Sequence, residues 1–439
     1  MSPDAGDAGT GGNRAGSNRT GGNFFRLLRG RGMAALLMLA AMSLMARALP
    51  PAEFGLVILL HSFALGARGL VNVKPFEAIV LYGTRHAARP RYTEQLLRLM
   101  LLVDVATVVA AFALAWFAAG WLAGWLEWSA AERALARGYS VVILTSMSGT
   151  ASGVLRLYDR FDVIARQRVV QGVVMLAGAA AVSALGGGLV AFVVVQGLAF
   201  AAHNIYLQRQ GWREFARRHP DARLAGPVFA GRRRRFPGLG RFLAVTYWQG
   251  NLDLFPKHLV VLGAGALLGE TAAGLYRLAA QTTRVISVPA LLLRQVLFPD
   301  LARLWRAAPD EFHRLVRRAL AGSAASAAVL VGAATWFGDE LIAALFGERY
   351  AAGAVVLVWL MLAAALELVT AVLRAALYAR ARAGKVLIGY AAGVALHAAA
   401  FAPLALAAGL EGTGMAAAFG ALLTLGLVSM NSVRPRLRE

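Results

Sequence analysis

The sequence predicts an all-α, polytopic membrane protein with about twelve transmembrane helices. Of its 439 residues, 59% are hydrophobic, and the mean hydropathy is +0.60. Only 15% of the residues are charged, whereas a soluble domain carries roughly 25%. The apolar residues are grouped in segments of about twenty residues, the length that a helix needs to cross the hydrocarbon core. These observations argue against a soluble protein.

The apolar segments form two groups of six, separated by a long basic linker. In the N-terminal half, residues 24–208, spans are predicted at 33–49, 52–73, 99–126, 138–156, 168–186 and 187–208. In the C-terminal half, residues 242–433, spans are predicted at 242–266, 271–293, 319–337, 353–374, 386–408 and 413–433. The linker covers 209–241, and cytoplasmic tails are predicted at 1–23 and 434–439. The first tail is rich in Gly, Asn, Ser and Asp, so we expect it to be disordered.

Basic residues fall almost entirely on one side of the predicted topology. Of 45 Lys and Arg, 37 lie in the loops and tails of one side, and four lie on the other: Arg47, Arg133, Arg137 and Arg349. Loops rich in Lys and Arg stay in the cytoplasm, so both termini are predicted to be cytoplasmic. The formal net charge of +22 then follows from topology and from attraction to anionic membrane lipids. No nucleic-acid partner is predicted.

Predicted span eight carries a polar stripe. Arg277, Gln281 and Arg284 are spaced four and three residues apart, so they share one helix face. Arg284 lies ten residues before Arg294, or about 15 Å at 1.5 Å per residue, which places it near the middle of the bilayer. A charge at that depth costs about 2.5–3.5 kcal/mol and usually faces a bundle interior or a wet cavity. The stripe therefore predicts a cationic cavity.

Predicted span seven carries Asp253 and Lys257 with Pro256 between them. Two interpretations remain open: a neutralised i, i+4 pair beside a proline kink, or an exchangeable pair in a transport cavity. Four further polar residues are expected to find partners within the bundle, and no ligand role is assigned to them: His61, Asp104, Glu367 and His397.

The sequence shows no recognisable catalytic or metal-binding motif. It contains no phosphate-binding G-x-x-x-x-G-K-[ST] loop and no H-E-x-x-H, and it has no cysteine. The predicted outer loops are short, whereas a membrane-bound glycan polymerase would need a larger outer domain for its catalytic groups. No catalytic residue, metal or cofactor is therefore predicted, and a transporter is favoured over an enzyme.

Five stretches spread over nearly the whole chain resemble one known family. They are "ARALPPAEFG" (46–55), "VKPFEAIVLYG" (73–83), "GVLRLYDRFDVIA" (153–165), "ETAAGLYRLAAQ" (270–281) and "ALFGERYAAGAVVL" (344–357). Their order and spacing resemble those of polysaccharide repeat-unit flippases of the multidrug/oligosaccharidyl-lipid/polysaccharide exporter superfamily. The resemblance implies a MATE-like architecture, in which two six-helix lobes surround a central cavity and alternate between inward-open and outward-open states.

The resemblance also implies a substrate and binding residues. The substrate class is an undecaprenyl-diphosphate-linked oligosaccharide, moved from the cytoplasmic to the periplasmic leaflet of a bacterial inner membrane. Cavities of this family are often cationic, and Arg68, Arg277 and Arg284 match that pattern by residue type and span. Gln281 and Lys257 join them as predicted substrate-binding residues. Cavity acids are few, and Asp253 is the predicted site of ion coupling.

The end of predicted span two then becomes a predicted entry gate for the diphosphate. Arg68 can bind it as a fork and Lys74 as a point charge. Pro75 can bend the helix where backbone lines a cavity, and Glu77 is expected to hold Lys74 when no substrate is bound. The alternative is an ordinary helix end with snorkelling cations.

Further partners are expected to be the polysaccharide polymerase and the chain-length machinery. Three alternative functions stay open. A major-facilitator transporter would carry a G-x-x-x-D-R-x-G-R-R-like loop after span two, which "GTRHAARPRYTE" (83–94) does not match. A drug/cation antiporter of the same superfamily would favour an acidic cavity. A glycan polymerase would need the larger outer domain noted above.

Overall fold

The structure is a computed structural model that describes residues 32–85, 90–221, 236–286, 301, 303–305 and 307–433. These residues are mostly helical and contain no strand. Several predictions lie outside them: the two tails at 1–23 and 434–439, most of the basic run within the linker, and the end of span eight at 287–293.

Fourteen helices of the described chain are numbered in order. The first eight are α1 (Gly32–Ala48), α2 (Pro51–Val71), α3 (Pro75–Arg85), α4 (Pro90–Trp125), α5 (Ala130–Ser140), α6 (Gly149–Leu157), α7 (Phe161–Ala184) and α8 (Leu189–Arg218). The others are α9 (Leu239–Asn251), α10 (Val260–Leu268), α11 (Glu270–Ile286), α12 (Pro309–Phe346), α13 (Ala354–Ala379) and α14 (Ala383–Val433). Non-helical torsions at Ala408 and Gly409 divide α14 into two arms.

The helices confirm the predicted fold class of about twelve membrane crossings. Within the described residues, eight helical segments are long and apolar enough to cross a membrane, counting α5 and α6 together and α14 as one. Four further crossings come from α1, from α9 with α10, from α11 and from the second arm of α14. Exposed tryptophans at the end of α4, Trp121 and Trp125, are typical of residues at a membrane interface.

Turn residues mark the two ends of the bundle. At one end, which we call the Leu49 face, Gly269 and Gly347 adopt positive φ angles of 88° and 103°, a conformation that glycine adopts without steric cost. We call the opposite end the Lys74 face. There Pro75 and Pro309 begin α3 and α12, at the helix position where a missing N–H costs nothing.

The N-terminal lobe (α1–α8) and the C-terminal lobe (α9–α14) meet closely at the Leu49 face. A Cβ added to Gly55 would clash with the backbone oxygen of Glu270, so α2 and α11 touch backbone to backbone. The Trp128 indole N–H donates to the Glu270 carboxylate at 3.1 Å. Arg349 donates to the Leu49 carbonyl at 3.3 Å. These contacts join the lobes at this end.

Span seven is divided between the two lobes. Its first part, α9, packs on the N-terminal lobe, where the Tyr247 hydroxyl donates to the Leu70 carbonyl at 2.7 Å. Its second part, α10, packs mainly on α11 and α14 and also touches α2. Between them lies a five-residue π-helix, Phe255–Leu259, which contains Pro256. Proline removes a backbone donor, and single π turns are frequent at functional sites.

Two boundaries differ from the sequence prediction. Span four was predicted as one helix over 138–156, but a 3-10 helix at Val141–Ser146 and a break before Gly149 separate α5 from α6. The helix of span six continues to Arg218, ten residues beyond the predicted end at 208. The predicted linker therefore begins as helix, and the division of the chain at 209–241 stays a prediction.

Candidate functional site

A cavity of about 1040 Å³ lies between the lobes. It is lined by residues of α1, α2, α7 and α8 on one side and by residues of α10, α11, α13 and α14 on the other, together with Asp253 and the π turn. Ligand pockets for small molecules usually span about 300–1,000 Å³. The volume is therefore sufficient for a large polar head group.

The wall formed by α11 carries unpaired positive charge. Arg277, Gln281 and Arg284 all line the cavity, so the structure brings the predicted stripe to one surface. In the described part of the chain, no carboxylate lies within salt-bridge distance of either arginine. Among the described residues, the Arg284 Nε donates only to the Ala280 carbonyl of its own helix, at 3.4 Å. We call this surface the arginine wall.

The facing surface of the C-terminal lobe carries charges that are paired with each other. Lys257 Nζ donates to Asp253 Oδ2 at 2.6 Å, and the Tyr390 hydroxyl donates to Asp253 Oδ1 at 2.6 Å. Arg374 Nη2 donates to Glu367 Oε1 at 3.0 Å. The Arg374 guanidinium carbon also lies 5.2 Å from the centroid of the Tyr390 ring, within the range of a cation–π contact. The pair predicted at Asp253 and Lys257 is thus present beside a proline-containing break.

Four histidines line the same cavity: His61, His203, His258 and His397. His61 Nδ1 lies 2.7 Å from the Tyr139 hydroxyl, while His397 Nε2 is buried and has no hydrogen-bond partner among the described residues. No group of three or more His, Asp or Glu in the described residues could hold a metal ion.

Arg68 does not line this cavity. It lies inside the N-terminal lobe, where its Nε donates to Ser146 Oγ at 2.9 Å and its Nη2 to Asp104 Oδ1 at 3.4 Å. Asp104, whose side chain is fully buried, also accepts the Thr150 backbone N–H at 2.8 Å, near the start of α6. Contact between Arg68 and substrate therefore stays a prediction, and the geometry gives this arginine a structural role.

The other predicted gate residues lie where the two lobes meet at the Lys74 face. Lys74 has a φ of 52° in the break between α2 and α3, and a Cβ added to Gly250 of α9 would lie 2.6 Å from its Nζ. Pro75 is the first residue of α3. Glu77 forms no side-chain ion pair with Lys74 in the described chain; only its backbone N–H donates to the Lys74 carbonyl, at 3.2 Å. The expected Glu77–Lys74 pair is absent, and the gating role stays a prediction.

Several cavity residues lack a predicted role, among them Arg168, Arg374 and Tyr390. Arg168 and Arg374, counted above with the basic loops, lie inside α7 and α13 and line the cavity together with Tyr390. Arg374 follows Glu367 by seven residues, a spacing that places both on one helix face and could have predicted their contact. No sequence signal distinguishes Tyr390 from other tyrosines.

Comparison with known proteins assigns the chain to a family. A family model described as polysaccharide biosynthesis protein matches residues 44–355. The chain belongs to this family. Inner membrane protein YghQ of Escherichia coli K12 is 25% identical over 328 residues, which cover 72% of this chain and 90% of YghQ.

Solved structures show which fold this polysaccharide biosynthesis protein has. The lipid II flippase MurJ in an inward closed conformation superposes with a TM-score of 0.71 at 11% identity, covering 92% of this chain and 87% of MurJ. An inward-facing MATE multidrug resistance transporter of the MOP superfamily superposes with a TM-score of 0.64 at 14% identity, covering 92% and 93%. The family resemblance and the MATE-like fold are therefore confirmed, and the protein is a multi-pass membrane protein.

Proposed function

We propose that the protein is a flippase that moves undecaprenyl-diphosphate-linked oligosaccharide units across the bacterial inner membrane by alternating access. The observation that supports this most strongly is the arginine wall. Arg277 and Arg284 face a large cavity without a carboxylate partner in the described chain, in a polysaccharide biosynthesis protein with a transporter fold. An anionic lipid-linked glycan is the substrate that fits both facts.

The physical reason is the cost of leaving these charges unpaired. Each intramembrane arginine costs about 2.5–3.5 kcal/mol on insertion scales. A diphosphate offsets that cost, because charge-assisted hydrogen bonds from a guanidinium fork to phosphate oxygens are short and strong. Gln281, between the two arginines on the same helix, adds an uncharged donor to the same wall.

The direction of transport follows from the distribution of basic residues. Most basic loops lie at the Lys74 face, so we assign this face and both termini to the cytoplasm. The lobe contact at Gly55 and Glu270 then closes the cavity toward the periplasm. In this proposal Asp253 couples ion movement to transport, and a polysaccharide polymerase with its chain-length machinery receives the product.

A cation exporter fits the cavity less well. Both cavity carboxylates, Asp253 and Glu367, are already paired with Lys257 and Arg374. A cationic drug would therefore approach a surface whose free charges are positive.

The test uses a strain in which the chromosomal gene is deleted. Lipid-linked glycans are extracted and surface polysaccharide is labelled after complementation with wild type, Arg284→Ala or Arg317→Ala. Arg317 is the matched control, since it is an exposed arginine of α12 that does not line the cavity. We expect full-length lipid-linked units to accumulate on the cytoplasmic side in the deletion strain. Arg284→Ala should restore at most about a tenth of the surface polysaccharide, the effect of losing one charge-assisted contact, while Arg317→Ala restores it fully.

Two results would contradict the proposal. If the deletion strain delivers its units to the periplasm but leaves them unpolymerised, the protein acts after flipping and the proposal is wrong. If Arg284→Ala complements fully at normal membrane levels, the arginine wall does not hold the diphosphate.

A further inference from the structure

We infer that the cavity has two chemically distinct subsites, and that the surface facing the arginine wall binds the sugars of the substrate. We call this surface the sugar wall and define it by Asp253, Lys257, Glu367, Arg374 and Tyr390. The inference rests on the proposed function, and it adds which residues select the glycan.

Charge separates the two walls. On the sugar wall, two carboxylates are matched by two cations at 2.6 Å and 3.0 Å, so its formal charge sums to zero. On the arginine wall, Arg277 and Arg284 have no such partner in the described chain. The diphosphate is therefore expected to bind at the arginine wall, where the net charge is positive, rather than at the sugar wall, where the formal charges cancel.

Hydrogen-bonding capacity makes the sugar wall suitable for hydroxyl groups. The Asp253 and Glu367 side chains are 40% and 41% exposed, so part of each carboxylate still faces the cavity. A carboxylate offers about four acceptor positions, and the contacts described above use only one or two of them. Sugar hydroxyls can donate to the remainder, and such O–H···O⁻ bonds are about twice as strong as neutral ones.

The acceptors are also held in fixed positions. The Tyr390 hydroxyl ties α14 to the span-seven break through Asp253, and Arg374 connects Glu367 of α13 to the Tyr390 ring. A network that locks side chains before the ligand arrives reduces the entropy lost on binding. The same three elements therefore present both carboxylates as one surface.

Space for a sugar ring is provided by small side chains next to this network. The cavity lining of α13 and α14 includes a set of residues no larger than alanine: Ala363, Ala364, Ala417, Gly420 and Ala421. Tyr378, 44% exposed in the same lining, offers an apolar ring face with a polar tip. Recesses with a few fixed polar groups are typical of sites that orient a ligand.

The consequence is specificity for the glycan rather than for the lipid diphosphate. A site built to hydrogen-bond hydroxyl groups discriminates strongly against a ligand that lacks them. The arginine wall binds the diphosphate, which all such lipids share. The sugar wall distinguishes the lipid that carries a completed glycan from undecaprenyl diphosphate alone.

The test measures binding of two probes to purified protein in lipid nanodiscs. The probes are undecaprenyl diphosphate and the lipid-linked glycan extracted from the deletion strain. The variants are Tyr390→Phe and Glu367→Gln. The matched control is Glu411→Gln, because Glu411 accepts the Trp359 indole N–H at 2.9 Å and does not line the cavity.

We expect wild type and Glu411→Gln to bind the glycan-bearing lipid at least about tenfold more tightly than undecaprenyl diphosphate, as expected for one or two charge-assisted hydrogen bonds. Tyr390→Phe and Glu367→Gln should remove most of this preference, and neither should weaken binding of undecaprenyl diphosphate, since Glu367→Gln leaves the Arg374 charge in place. Arg284→Ala should weaken binding of both probes.

The outcomes separate this inference from the proposed function. If wild type binds both probes equally, or if both wall variants keep the wild-type preference, the sugar wall is wrong while the flippase proposal stands. If wild type binds neither probe, the flippase proposal itself fails. Thermal melting of each variant shows whether it is folded, and the second wall variant decides the outcome if one is not.

Discussion

Arg68 and Arg284 are both arginines within membrane helices, yet their surroundings differ in every respect. The Arg68 side chain is 9% exposed and contacts Asp104 and Ser146 on neighbouring segments of its own lobe. Arg284 is exposed to the cavity and contacts only the Ala280 carbonyl of its own helix among described residues. Under the proposed function, the two arginines represent two ways of stabilising a charge in the membrane: an internal partner for Arg68 and a bound ligand for Arg284.

The largest expected effect on stability comes from substitution of Asp104, the internal partner of Arg68. Asp104→Asn leaves the Arg68 guanidinium buried without a counter-charge, and breaking a buried pair in this way costs about 3–5 kcal/mol. We expect loss of most folded protein, measured as the monodisperse fraction and melting temperature in detergent. The double variant Arg68→Met/Asp104→Leu, which removes both charges, should recover much of the stability. A wild-type melting temperature for Asp104→Asn would contradict the assignment of this pair as structural.

Substitution by lysine is expected to have an effect of intermediate size, and a different one at Arg284 and at Arg68. Lysine keeps the charge but loses the planar fork, so Arg284→Lys should weaken binding of undecaprenyl diphosphate by about tenfold, or ~1.4 kcal/mol, with no change in melting temperature. Arg68→Lys should instead lower the melting temperature, because the contacts to Ser146 and Asp104 cannot both be kept. The reverse pattern would show that the roles of the two arginines are exchanged.

The smallest expected effect is at the exposed pair of Lys257 and Asp253. The two side chains are 61% and 40% exposed, and pairs of this kind contribute about 0.3–0.5 kcal/mol. Lys257→Met should therefore shift the melting temperature by an amount close to the error of differential scanning fluorimetry. A shift as large as that of Asp104→Asn would mean that the exposed Lys257–Asp253 pair is as important for stability as the buried Arg68–Asp104 pair.

The fold was predictable because its signals are local along the chain. Segment length and the side on which Arg and Lys accumulate need no knowledge of tertiary contacts. The shared face of Arg277, Gln281 and Arg284 was predictable for the same reason, since helical spacing alone defines it.

The pairing of polar and charged groups between helices was not predictable, because it depends on tertiary contacts. Arg68 meets Asp104 across 36 positions, and Tyr390 meets Asp253 across 137. The sequence of a span does not distinguish a charged residue that pairs with a buried carboxylate from one that faces a cavity. The break of span four beside Gly149 was not predicted either. It creates the turn in which the Thr150 backbone N–H donates to Asp104, a tertiary contact.

The division of span seven has a consequence for the rate of any motion between the lobes. Because α9 packs on the N-terminal lobe and α10 on the C-terminal lobe, a rotation of one lobe against the other must change backbone torsions between Asn251 and Val260. Pro256 has already removed one amide donor from this segment, so fewer backbone hydrogen bonds resist bending than in an unbroken helix. The activation enthalpy of the cycle therefore contains the cost of breaking and re-forming a few peptide hydrogen bonds in this cavity-lining segment.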